Sequence, residues 1–163
     1  MTFIIALMIG LAAGSLSEYW VHRLEHWSVL RAQDHLAHHM NLIRRGWWRE
    51  YWAYLRVGGA PIALVGCISW YLWGWPAAVG WTLGIAGHLA FFALVHEMYH
   101  TDPNLVFWVS RPVHYFHHKH NQWRYNFGFT TTLWDKLFGT FKDDPTWVPA
   151  PVPFKKIFSV KFW

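Results

Sequence analysis

The chain has a single cysteine, Cys67, so no disulfide can form within it. No Asp, Glu, Lys or Arg occurs in residues 1–17 or in residues 57–95, and neither stretch can present the charged face of a soluble helix. Charged residues make up only 14% of the 163, against 54% hydrophobic and 20% aromatic, a balance too apolar for an ordinary soluble domain. Lys and Arg are absent before Arg23. Six of the 14 lie from Arg23 to Arg56 and the other eight from Arg111 onward. That grouping belongs to the ends of membrane spans rather than to a phosphate-binding stripe, so nucleic acid is not the expected partner. Nothing resembles a nicotinamide, flavin or haem site, and there is no solenoid repeat or low-complexity segment.

What is present is apolar length. Residues 1–17, continued through Tyr19 and Trp20, can cross roughly 30 Å as a helix. With no basic segment at its start, the stretch reads as a membrane helix rather than a cleaved signal peptide. Residues 57–95 are interrupted by Gly74, Trp75 and Pro76, which predicts a transmembrane hairpin with a tight turn. The expectation is one all-α membrane domain over 1–163 with three spans, at about 2–20, 57–74 and 77–95. The first span ends on the side from which the hairpin departs and to which it returns, so every Lys and Arg lies on one face. By the positive-inside tendency that face is cytoplasmic, in a bacterial inner membrane or endoplasmic reticulum, with the N-terminus outside. Trp47, Trp48, Tyr51 and Trp52 read as an interfacial belt, a favoured place for the 14 tryptophans. Cys67 sits in an apolar run, where its expected role is packing. Residues 105–118 are expected to form a further helix and 126–132 a turn. Residues 145–163, with four of the eight prolines, are expected to lie along the membrane surface.

Eleven of the 12 histidines fall at or beyond the cytoplasmic ends of these spans. His22 and His26 form HxxxH, and His35, His38 and His39 form HxxHH. After the hairpin the order repeats, with His96 and His100 as HxxxH and His114, His117 and His118 as HxxHH. Residues three and four apart share a helix face, so each group is expected to aim its imidazoles at one point. A lone HxxxH is commonly a partly solvated face. A triplet of crowded imidazoles gains little by packing, and its repetition across a membrane hairpin points to metal. Ten ligands are too many for one ion, and two ions with about five nitrogens each use them all. Imidazole alone leaves iron, zinc, copper and nickel open. Glu25, Asp34, Glu97 and Asp135 are candidates to accept hydrogen bonds from ligand N–H groups, the bland reading being helix caps or surface ion pairs. His88 lies two turns before His96, roughly 12 Å deeper by helical rise. An ionisable group there either lines a substrate channel or packs as a neutral, hydrogen-bonded imidazole. His120 reads as an outer partner or a solvent-facing residue rather than a ligand.

These motifs, HRLEH at 22–26, HLAHH at 35–39, HEMYH at 96–100 and HYFHH at 114–118, are followed by NFGFTTTLWDKLFGTF at 126–141. Together they resemble the fatty acid hydroxylase and sterol desaturase superfamily of membrane-bound di-iron oxygenases, over residues 11–141. Phe127 stands where the family's NYG motif has Tyr. The resemblance implies a helical membrane fold with a cytosolic histidine-rich cap and two irons, zinc being a substitute in isolated protein. By motif position the implied ligands are His22, His26, His35, His38, His39, His96, His100, His114, His117 and His118. Asn126, Gly128, Trp134 and Asp135 match the family's ending and are read as structural or supporting. The implied activity is dioxygen-dependent hydroxylation or desaturation of a lipid C–H bond. Many members carry a hairpin before the first histidine motif, whereas this chain has room for one span, as in the short bacterial carotenoid hydroxylases.

The substrate is accordingly expected to be a fatty acyl or sterol-like lipid entering from the bilayer, with a carotenoid as the alternative. Electrons must come from a separate donor of the small cytochrome or ferredoxin type, for which Lys119, Arg124 and Lys136 offer a basic landing surface, the more common role of such residues being a solvated or phospholipid-facing surface. A non-redox metal-binding or metal-transporting protein is the alternative of another class. Transport would need ionisable groups through the membrane interior, and His88 is the one such residue within 57–95. A haem carrier would show isolated histidines on paired spans rather than clusters at one membrane face.

Overall fold

The computed structural model describes residues 1–41 and 44–163. It is all-helical, with no strand among the described residues: α1 (Thr2–His26), α2 (Ala32–Asn41), α3 (Trp47–Trp73), α4 (Trp75–Thr101), α5 (Val113–Lys119) and α6 (Leu133–Leu137), with 3-10 turns at Pro103–Leu105 and Phe154–Ser159. The helices α1, α3 and α4 are each long and apolar enough to cross a membrane. All three run past the charge-free stretches, because Trp, Tyr and His at the ends nearest the histidine motifs are compatible with helix when a neighbour covers one side. Gly74, at φ +82°, turns the chain between α3 and α4, and Pro76 enters α4 in the first turn, where its missing N–H is no loss.

The helix α4 is the spine. On one side α1 packs against it in the same direction, and the contact is made by glycines. A Cβ on Gly84 would stand 2.3 Å from the Leu7 carbonyl oxygen, one on Gly10 2.5 Å from that of Trp81, and one on Gly14 2.7 Å from the His88 Cβ. Bilayer helices with no apolar driving force between them associate through such close backbone approach. Gly84→Ala is therefore expected to destabilise the protein by about 1–3 kcal/mol. Gly87→Ala, where an added Cβ meets nothing within 4 Å, should be neutral or mildly stabilising. Thermal unfolding of the two variants in detergent checks the contrast.

On its other side α4 carries α3, while α1 and α3 scarcely touch, so a gap runs between them. At its histidine-bearing end the gap is closed by a buried cluster that includes Tyr54, Phe92, Tyr99 and Phe129. The belt residues occupy the first turns of α3, where Trp48 and Trp52 are exposed and the Trp47 indole N–H donates to the Ala90 carbonyl at 2.8 Å. Residues 145–163 return to this place. The N–H groups of Trp47 and Trp48, which the helix leaves unpaired, donate to the carbonyls of Lys161 and Phe162 at 2.9 and 3.0 Å. Gly46 is required there, since its φ is +87° and a Cβ would lie 2.6 Å from the Trp163 backbone.

Two expectations are corrected. Residues 105–118 are not one helix: a 3-10 turn ends at Leu105 and α5 begins only at Val113. Pro112 disfavours helix in the residue before it and supplies no N–H, so the stretch can start a helix but not continue one. Cys67 does not pack inside the bundle. It is exposed on the outer face of α3, which has α4 on one side only.

Candidate metal centre

The ends of α1 and α4, together with α2 and α5, bring ten imidazoles together in two sets. His22, His26, His35, His39 and His117 form one, and His38, His96, His100, His114 and His118 the other, with the nitrogens of each set within 4.8 Å of one another. The triplets do not each aim at one point, as expected from shared helix faces. His35 and His39 point to the first set while His38 points to the second. Likewise His114 and His118 belong to the second set, and His117 crosses to the first. Helical rotation explains the split: at about 100° per residue, the first and third histidines of HxxHH lie some 40° apart, whereas the middle one lies about 60° to the other side of the first.

The spacing within each set is that of ligands around one ion. The Nε2 atoms of His26 and His117 are 2.8 Å apart, those of His26 and His35 2.9 Å, and those of His35 and His39 3.0 Å. In the second set His38–His96, His96–His100 and His114–His118 are each 3.1 Å. Adjacent nitrogens bound at about 2.1 Å to one ion stand about 3 Å apart. The two sets adjoin, the His39 and His118 rings stacking at 4.1 Å.

The outer ring nitrogens differ between the sets. In the first, His22 Nδ1–H donates to the Phe127 carbonyl and His117 Nδ1–H to that of Tyr125, both at 2.7 Å, which turns their Nε2 lone pairs inward. His35 Nδ1 lies 3.4 Å from Glu25, whose carboxylate also accepts from the Tyr54 hydroxyl at 3.1 Å. In the second, the Nδ1 atoms of His96, His114 and His118 are buried without a hydrogen bond, His96 Nδ1 lying 3.3 Å from Glu50 but out of line with it. His26 Nδ1 is the corresponding orphan of the first set. An outer partner is worth 10–100-fold in metal affinity. On titration of the metal-free protein, the first set is therefore expected to fill before the second, read as two separated steps by calorimetry.

Burial, more than the neighbouring imidazoles, holds His35, His39, His114, His117 and His118 below the usual 6.5, His39 at about 3. The unfolded chain thus binds protons that the folded one refuses, so stability is full above pH 6.5 and is lost as the pH falls toward 3. Metal-stripped protein should lose thermal stability steadily between pH 6.5 and 5, and a flat profile there would contradict this.

The candidate supporting carboxylates divide. Asp135 is fully buried and accepts from the Phe127 and Gly128 N–H groups and the Thr140 hydroxyl, all at 2.8 Å. It acts on His22 through the Phe127 backbone rather than directly. Asn126, at φ +61°, closes the same loop by accepting from the Lys142 N–H, and a Cβ on Gly128 would collide with the Thr131 carbonyl at 2.4 Å. Glu97 accepts from the Arg44 Nε and the Gly46 N–H. Asp34 makes a half-exposed ion pair with Arg45 at 2.9 Å. His120 joins neither set and contacts Asp144 at 2.8 Å. His88 is hydrogen-bonded and also lines the gap between α1 and α3.

Three residues that the sequence does not single out, Glu18, Glu50 and Tyr54, are buried as well. Glu18 precedes His22 by one helical turn, and a carboxylate inside an apolar span was the signal that could have found it. Phe129 forms the floor, its ring 4.1 Å from that of His114 and 4.7 Å from that of His22.

No curated protein and no solved structure matches the chain. The family model for fatty acid hydroxylase matches residues 7–140, which takes in all ten of these histidines and the loop that buttresses them. The chain therefore belongs to the fatty acid hydroxylase family.

Proposed function

We propose that the protein is a dioxygen-dependent di-iron hydroxylase of a lipid C–H bond, with His22, His26, His35, His39 and His117 holding one iron and His38, His96, His100, His114 and His118 the other. The observation that carries this reading is the pair of five-imidazole sets, each with ligand-like spacing and each taking one histidine from the other half of the chain. Donor chemistry fits as well: imidazole without thiolate suits iron, and five nitrogens leave a position open for substrate oxygen. The irons, when bound, supply the reductive activation of dioxygen and the removal of hydrogen from an unactivated carbon, which no side chain can do.

The chain's own residues would do the rest. Phe129, Phe92 and Tyr54 form an apolar floor that keeps bulk water from the lipid side of the site. Phe127 and Tyr125 carbonyls fix the tautomers of His22 and His117. The gap between α1 and α3, a cavity of about 430 Å³, is of a size for a lipid chain, and a substrate from the bilayer would enter there. Of the three basic residues expected to receive an acidic electron donor of the small cytochrome or ferredoxin type, Lys119 is tied to Asp144, which leaves Arg124 and Lys136. The distribution of Lys and Arg supports a cytoplasmic histidine face.

Metal analysis of anaerobically purified protein tests the reading. About two irons per chain are expected, with substrate oxidation dependent on dioxygen and reductant. A metal-free or single-zinc protein that shows no oxidation after iron loading would overturn it.

A further inference from the structure

The cavity between α1 and α3 is walled by apolar residues, among them Val57, Ile62, Val65, Ile85 and Leu89, and one imidazole outside both metal sets faces it. His88 Nε2 lies 2.8 Å from Glu18 Oε2. Glu18 Oε1 already accepts from the Phe129 N–H at 3.2 Å, the Thr130 N–H at 2.9 Å and the Thr130 hydroxyl at 2.8 Å. An oxygen receiving three donors is in the surroundings of a carboxylate, which can only accept. His88 therefore donates from Nε2, and its Nδ1 carries a lone pair. The Cγ–Cδ2 edge of the ring packs against α1 at Gly14, which turns the Nδ1 edge away from that helix. Among the described residues no donor reaches Nδ1, and it is not sealed off in the protein interior.

We propose that this cavity binds a lipid alcohol, its hydroxyl donating to His88 Nδ1 and its hydrocarbon running toward Tyr54 and Phe92. This names the substrate class of the proposed hydroxylase and rests on that reading. The discrimination falls to His88 because the Tyr54 hydroxyl donates to Glu25, the Trp81 indole donates to the Ile62 carbonyl, Glu18 is taken up by His88 and the Thr130 loop, and Ser17 can either donate or accept. A ketone, ester or ether offers no donor and leaves the lone pair unmatched. Glu18 and the Thr130 loop in turn hold the imidazole at fixed depth, so recognition occurs inside the bilayer rather than at its surface.

The test is equilibrium binding of radiolabelled hexadecan-1-ol to the full chain in detergent without added metal, with hexadecyl methyl ether and hexadecan-2-one as competitors. The alcohol should bind saturably and roughly three- to tenfold more tightly than either competitor, the range of one net hydrogen bond. His88→Phe should bring the alcohol down to the ether's affinity. His88→Gln, whose amide can donate to Glu18 while its carbonyl accepts, should retain the preference. Equal affinities in the wild type, a preference for the ketone, or no saturable binding would each overturn the proposal, and these comparisons stand even where His88→Phe fails to fold. Metal analysis of parallel samples after iron loading separates the two readings. An alcohol preference in a chain that takes up no metal would remove the hydroxylase and keep the alcohol site; two irons without the preference would do the reverse.

Discussion

Replacing His38 by alanine is expected to empty the metal set of His96, His100, His114 and His118 and to spare that of its own neighbours His35 and His39. The converse holds for His117→Ala, which should empty the set of His22, His26, His35 and His39 and leave that of His114 and His118 loaded. Losing a ligand outright should weaken an ion by more than the 10–100-fold that loss of an outer partner costs. At stoichiometric iron each single variant should retain about one ion in place of two. Double variants make the test sharper. His38→Ala with His118→Ala damages one set and should retain one ion, whereas His38→Ala with His39→Ala damages both and should retain none. If adjacent histidines served the same ion, the outcomes of the two doubles would be reversed, so iron content alone decides.

The second large effect is expected at Asp135. Its carboxylate receives three buried donors, and the Thr140 hydroxyl that supplies one of them accepts from Tyr19, which in turn accepts from Arg23. Tyr19 and His22 sit on the same stretch of α1. A chain of hydrogen bonds thus leaves α1 at Tyr19, passes through Asp135 and the Phe127 backbone, and returns to α1 at His22. Asp135→Ala leaves two backbone N–H groups and a hydroxyl unpaired in the interior, a loss of at least about 3 kcal/mol. It should also weaken the first metal set 10–100-fold through His22, with less effect on the second. Asp34→Ala, which removes a half-exposed carboxylate paired with Arg45 at 2.9 Å and more loosely with Arg31 at 3.7 Å, should change stability by about 1 kcal/mol or less. Thermal unfolding and iron titration of the two variants side by side would expose an error: equal effects would mean that the buried loop does not brace the site.

What was legible in the sequence was mostly what periodicity and charge encode. The three spans, the turn at Gly74 and the ten histidines could be placed because a bilayer disfavours charge within a span and because HxxxH and HxxHH are helical intervals. The sorting of the histidines was missed because shared faces were read too coarsely, although the 100° rotation that separates His38 from His39 was already present in their adjacency. Asp135 was singled out without its route, since nothing in the spacing of residues 126–135 shows that Phe127 would present its carbonyl to a helix more than 100 residues earlier. The pairing of Glu18 with His88 is tertiary in the same sense: the two lie 70 positions apart and meet only because glycines let α1 and α4 touch. The long helix expected at 105–118 failed through local chemistry, because one proline outweighed a stretch of helix-compatible neighbours.

Gly10, Gly14, His22 and His26 of α1 stand at the same intervals as Gly84, His88, His96 and His100 of α4, and the two helices lie side by side pointing the same way. A chain that writes one motif twice in parallel must first carry itself back across the bilayer, and α3 is that return stroke. This accounts for a helix that donates no imidazole and leaves most of its girth to lipid. It also sets the parity of the architecture: with an even number of crossings between the copies in place of the odd one, the second cluster would emerge on the far side of the membrane and neither cluster could lend the other its fifth nitrogen.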